Sequence, residues 1–130
     1  MRLTSQRSKQ ADINASNTGQ IAEGIAAQYL IKQGLRLLET NFSSRFGEID
    51  IIMQDRQALV FVEVKYRASS QFGGAIAAIS ASKQKKIKQT AAFYLQEQEL
   101  NAYNTDHRFD VITLDGNINK PEINWLTNAF

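Results

Sequence analysis

Three ionisable residues carry the sharpest chemical signal in this chain. Asp50 is followed, after twelve residues, by Glu63-Val64-Lys65. Two carboxylates and an ammonium at this spacing suit metal-dependent cleavage of a phosphodiester. Magnesium takes oxygen ligands and is held by one or two carboxylates plus substrate phosphate. Such an ion polarises the phosphate, lowers the pKa of a water and neutralises charge in the transition state. A lysine alongside hydrogen-bonds the attacking water or the phosphate. Burial beside a cation would lower its pKa and make it a proton acceptor.

The elements that must position these groups can be read around them. Residues Gly47 to Arg67, GEIDIIMQDRQALVFVEVKYR, read as two strands joined by the polar turn Asp55-Arg56-Gln57. The second strand is rich in β-branched and aromatic residues. A hairpin centred between Arg56 and Gln57 sets Asp50 opposite Glu63 and Glu48 opposite Lys65. Strand alternation then puts Asp50, Glu63 and Lys65 on one face. Residues directly opposite lie roughly 5 Å apart at Cβ, where like charges repel. A divalent cation between the carboxylates removes that conflict. The alternative from spacing alone is a cross-strand ladder, with Lys65 paired to Glu48 and both acids pointing into water.

Upstream, residues Asn17 to Gln33 read as a helix. Asn17 and Gln20 resemble a capping box, and Gly34 is its stop. Ile21, Ala22, Ile25, Ala26, Tyr29 and Leu30 form its apolar face. Glu23 falls at the margin of that face, as either a first-turn acid or a third carboxylate for the site. Leu35 to Phe42 reads as a strand and Ser43 to Gly47 as a turn that carries Arg45. Downstream, Ala68 to Gly74 reads as a loop, either a plain connection or a segment that contacts substrate. A second helix is expected from Ser80 or Ser82 to about Gln98, with Ile87, Ala91, Tyr94 and Leu95 as its core stripe. Lys83, Lys85, Lys86 and Lys88 crowd its opening, where the helix dipole disfavours cations and the free N–H groups attract anions. Lys83 and Lys86 flank one side of the stripe, Lys85 and Lys88 the other. They are a phosphate-binding strip or a solvated face. Arg108 to Leu114 and Glu122 to Leu126 read as strands, with Arg108 and Asp110 placed to pair. Trp125 and Phe130 read as core or edge cover. The order helix, three strands, helix, one or two strands predicts a sheet covered by helices, in the α/β or α+β class.

Composition narrows the function further. The chain has 130 residues, no cysteine and one histidine, so thiolate sites are excluded and a zinc site is disfavoured. Hydrophobic residues at 43% suit one folded domain over residues 16–130. Residues 1–15, with Arg2, Arg7 and Lys9, read as a basic tail. No apolar run approaches a membrane span, and the polar start lacks a signal peptide, so the cytoplasm is the expected compartment. The net charge is +2; setting the three proposed ligands aside leaves ten acidic residues against fifteen basic ones. A mildly basic surface around an acidic site suits a polyanion.

The hairpin sequence, followed by FGGAIAAISASKQKKI and RFDVITL, resembles the YraN-like family of small bacterial proteins. The stretch Gly19 to Leu30, with Glu23-Gly24, resembles it too, so the likeness spans roughly residues 17 to 115. YraN-like proteins in turn resemble PD-(D/E)XK nucleases, in particular archaeal Holliday junction resolvases. The resemblance implies a restriction-endonuclease-like α/β core with a mixed central sheet of about four to five strands flanked by helices. It implies Asp50, Glu63 and Glu23 as metal ligands, with the Val64 carbonyl joining them and Lys65 as catalytic lysine. It further implies Mg²⁺, or Mn²⁺ in its place, and nucleic acid, foremost branched or repair-related DNA, as substrate. Arg45, Arg67, Lys83 and Lys86 are the expected nucleic-acid contacts. Resolvase-like relatives pair to cut two strands, so a homodimer is consistent with the likeness. Ile49 stands where the motif has proline, a position without chemistry of its own. A nuclease-like fold can also serve as a non-catalytic nucleic-acid-binding or accessory module, or as a protein-interaction domain.

Overall fold

The computed structural model describes residues 15–69 and 79–130, with side chains from residue 17 onward. The expected basic tail, save Ala15, and most of the expected loop after Arg67 lie outside the described residues. Helix α1 spans Ala15–Lys32, strands β1 Arg36–Ser44, β2 Gly47–Asp55 and β3 Ala58–Arg67. Helix α2 spans Ala81–Glu97, and strands β4 His107–Asp115 and β5 Glu122–Leu126 follow. The five strands form one sheet in sequence order. β3 and β4 are parallel and the other neighbours antiparallel, so the sheet is mixed.

The two helices cover opposite faces. Ile87, Ala91, Tyr94 and Leu95 of α2 are buried against Phe42, Ile52, Phe61 and Phe109. Ala22, Ala26 and Leu30 of α1 are buried against Ile51, Met53, Val60, Val62 and Ile112. Alternation along β3 explains the division. Leu59 and Phe61 face α2, while Val60 and Val62 face α1. Both faces of the central strand are buried, so it reads as an unbroken apolar run.

Local signals fix the ends of these elements. Ser80 caps α2 by accepting a hydrogen bond from the Lys83 backbone N–H at 3.1 Å. Gly34, at φ +99°, ends α1 with Gly34 N–H to Ile31 O and Leu35 N–H to Leu30 O, a Schellman pair. The expected cap at Asn17 differs, because the helix already begins at Ala15. The apolar face of α1 is also rotated slightly. Ile21 is 41% exposed while Ala27 is buried, since the small face of alanines is the one laid on the sheet. In β1 the register shifts between Leu37 and Glu39, and both Leu37 and Leu38 are exposed. A bulge on this edge strand interrupts the flat edge that would invite another chain.

Among the described residues, Glu63, Thr90, Asp110, Thr113 and Asp115 are buried polar side chains. Asp110 on β4 is fully buried. It accepts from Arg108 Nε at 3.0 Å, Trp125 Nε1 at 3.0 Å and the Asn128 N–H at 3.0 Å. Arg108 also pairs with Asp55 beside the β2–β3 turn, at 3.1 Å. The carboxylate therefore ties β4, β5 and the residues beyond it together. Asp110→Ala leaves these donors without an acceptor and is expected to cost about 3–5 kcal/mol. Urea unfolding of the two proteins measures the loss directly; a change under about 1 kcal/mol would show that the network is dispensable.

Candidate functional site

The hairpin register is the one the turn predicts, but only for part of its length. Asp55↔Ala58, Gln54↔Leu59, Met53↔Val60, Ile52↔Phe61 and Ile51↔Val62 pair in order. The ladder then stops. Glu48 pairs with Ser43 on β1 and Lys65 with Thr113 on β4, so the Glu48–Lys65 ladder is not formed. The apolar neighbours of Asp50 show how the strands part. Ile49 packs in the α2-side cluster and Ile51 in the α1-side cluster. In a flat strand these two residues would share a face. β2 therefore turns at Asp50, and the Asp50 carboxylate enters the gap beside β3. There Asp50 Oδ2 accepts the Val64 N–H at 2.8 Å. Strand geometry aims the N–H and C=O of one residue at the same neighbour, so the Val64 carbonyl faces the same gap.

Glu63 lies beside Asp50 and is buried, at 6% exposed. Its Oε2 accepts from Lys83 Nζ of α2 at 3.0 Å. Its Oε1 is buried and has no hydrogen-bond partner among the described residues. Burial, and then the neighbouring Asp50 charge, push the Glu63 carboxyl up to about 7. Asp50 is raised as well, by burial, although the Val64 N–H opposes the shift. Glu23 on α1 reaches the pair from the opposite layer. Burial and then Asp50 raise its pKa, while the side chain of Asn41 opposes them.

Lys65 and Glu63 line one cavity of about 230 Å³ together with Ile79, Ser80 and Lys83. Lys65 itself is exposed, so the burial expected around it is absent. Its strand neighbour Thr113 is fully buried, with a hydroxyl that has no partner among the described residues. The expected basic contacts fall into two groups. Lys83, Lys86 and Arg45 follow one edge of α2. Thr90 Oγ1 lies 3.1 Å from Ser44 Oγ, fixing the helix on the end of β1, and Lys86 stands over Gly47 at the start of β2. Arg45 is exposed, its guanidinium 4.9 Å from the centre of the Phe46 ring. Arg67 is placed differently, held by Asp115 in two hydrogen bonds of 2.7 and 3.0 Å. Its fork is already occupied, and it stabilises the far end of the β3–β4 pair.

The fit to a divalent cation can be judged from the donors. Asp50 and Glu63 are adjacent carboxyls: the Asp50 charge raises Glu63, a hydrogen bond from the Glu63 carboxyl lowers Asp50, and Glu63 Oε1 has no conventional donor among the described residues. Oxygen donors of this kind suit Mg²⁺ or Mn²⁺, which are bound through one or two carboxylates and otherwise by water and phosphate. Glu23 was expected to close on the same ion. Among the described residues no three acidic or histidine side chains stand close enough to hold an ion together. Glu23 instead meets the pair through Asp50, because α1 covers the other face of the sheet.

A mixed five-stranded sheet between two helices, with acidic groups where the central strands part, is a restriction-endonuclease-like core. The likeness to known sequences then fixes the family. The family described as Uncharacterised protein family UPF0102 matches residues 22–114, and the chain belongs to it, as the YraN-like resemblance predicts. A UPF0102 protein of Colwellia psychrerythraea is 54% identical over 128 residues, covering 98% of this chain and 99% of that one. One from Psychromonas ingrahamii is 48% identical over 119 residues, covering 91% and 93% of the two chains. One from Shewanella halifaxensis is 48% identical over 115 residues, covering 88% and 95%. Among the described residues no helix is long and apolar enough to cross a membrane.

Proposed function

We propose that this chain is a Mg²⁺-dependent endonuclease, with Mn²⁺ able to substitute, acting on DNA of branched or repair-related structure. The observation that carries the reading is the buried Glu63 carboxylate, with its unpartnered oxygen beside Asp50, facing a cavity that Lys65 also lines. Asp50 and Glu63 would hold the ion, with the Val64 carbonyl turned toward it. When bound, the ion would polarise the phosphate and offset the charge that builds on its oxygens. The protein's own groups do the rest. Lys65 offers three donors to the attacking water and the phosphate, and so aligns the water with the leaving oxygen. Lys86 and Arg45, along the edge of α2, would guide the phosphate backbone as point charges. Glu23 lies beside Asp50 on the α1 side, where the Asp50 charge makes it harder to ionise.

The test is a cleavage assay on linear, nicked and four-way branched DNA with Mg²⁺ or Mn²⁺. Cleavage that a chelator abolishes is the expected result. A second reading, a nucleic-acid-binding accessory protein without turnover, is favoured by the lack of a three-carboxylate cluster among the described residues. Salt-sensitive DNA binding with no cleavage under either ion would select it and remove the enzyme.

A further inference from the structure

The contact between Lys83 and Glu63 has a role that the strand residues do not supply. Lys83 lies three residues after the Ser80 cap, and its backbone N–H is tied to that serine, so the root of the side chain is fixed. Its ammonium lies 3.0 Å from Glu63 Oε2, yet the side chain is 51% exposed. Glu63 is 6% exposed and cannot follow it into solvent. Asp50 and Glu48 also lie within electrostatic reach of the ammonium. An ammonium and a divalent cation on the same carboxylates repel each other strongly at such range. A lysine on a flexible four-carbon stem is the partner able to leave, because water takes its head group readily.

We propose that Lys83 is a resident counter-ion, which a divalent cation must displace from Glu63 before the site loads. The inference rests on the reading of Asp50 and Glu63 as ion ligands. While the carboxylates hold no ion, Lys83 offsets their negative charge. When an ion arrives, the ammonium swings into the cavity shared with Lys65 and meets substrate phosphate. The helix thus sets the ion concentration at which the site fills, and couples filling to phosphate capture.

Calorimetric titration with Mn²⁺ at fixed ionic strength tests this on the full chain. Lys83→Met is expected to tighten Mn²⁺ binding by roughly tenfold or more, because no charge is left to displace. Lys85→Met, on the same helix but lining a separate groove, is expected to change it less than twofold. Circular dichroism and thermal unfolding check each fold, and Lys83→Gln replaces Lys83→Met if that variant does not fold. Should the parent bind Mn²⁺ and the Lys83 variant bind it no more tightly, the counter-ion role is overturned and the ion site stands. Equal tightening by Lys85→Met overturns it too, as a general charge effect. If neither parent nor variant binds Mn²⁺ at millimolar concentration, both the ion site and the counter-ion role fall. Binding that appears only in the Lys83 variant supports the displacement.

Discussion

Replacing Lys65 with methionine is expected to lower metal-supported DNA cleavage by roughly a hundred- to ten-thousandfold, the usual range for a group acting on a transferred proton or its water. The same change should leave the fold untouched. Lys65 is exposed and makes no ion pair among the described residues, so its removal is expected to shift stability by under about 0.5 kcal/mol. Methionine keeps the stem and deletes the charge, which separates chemistry from packing. DNA affinity should fall little, because Lys86 and Arg45 along α2 remain. Single-turnover cleavage alongside a binding isotherm makes the comparison. Turnover within threefold of the parent would take Lys65 out of the reaction, whatever happened to binding.

Glu63→Gln should make the protein more stable, not less, above neutral pH. The Glu63 carboxyl is pushed from an ordinary 4.5 to about 7 by burial and by Asp50. The folded chain therefore holds this proton more tightly than the unfolded chain does. That contribution is complete below about pH 4.5 and is lost as pH rises through about 7. The interval corresponds to about 3 kcal/mol. Glutamine is neutral throughout and still offers Lys83 an oxygen, so the variant escapes the loss. At pH 8 it should exceed the parent by about 1–3 kcal/mol, several degrees in Tm, and the gap should close toward pH 4.5. Added Mg²⁺ should raise the Tm of the parent and not that of the variant. Parallel pH profiles for the two proteins would show instead that the Glu63 charge costs the fold nothing.

These two side chains also show how far the sequence could be read. The pairing of Asp55 to Ala58 through Ile51 to Val62 follows from turn chemistry and period-two patterning, which are local. So does the α2 stripe of Ile87, Ala91, Tyr94 and Leu95, to which the structure adds the buried Thr90. Thr90 falls on the same helical face, but its polarity hid it; its hydroxyl bonds Ser44 and the Lys86 carbonyl. The parting of β2 from β3 was not legible, because it depends on which layer claims Ile49 and which claims Ile51. Nor was the Lys83–Glu63 contact, which needs the phase of α2 against the sheet across a connection from Arg67 to Ala81. Arg67 looked free for phosphate in the sequence. The parallel partner that occupies it, Asp115, is supplied by a crossover that no local pattern announces. The Arg108–Asp110 pair was legible, since two residues of one strand face stand two apart.

The bend in β2 ties reactivity to hydrocarbon bulk. Ile49 has no polar atom beyond its backbone, yet its seat in the α2-side cluster is what swings the neighbouring carboxylate out of register. A smaller residue there would relax the strand toward an ordinary zipped hairpin, with the two acids forced face to face. The precision of such a centre is thus guarded by grease rather than by charge. Its sensitivity to drift should be sought in the volume of a hidden methyl group as much as in the acids themselves.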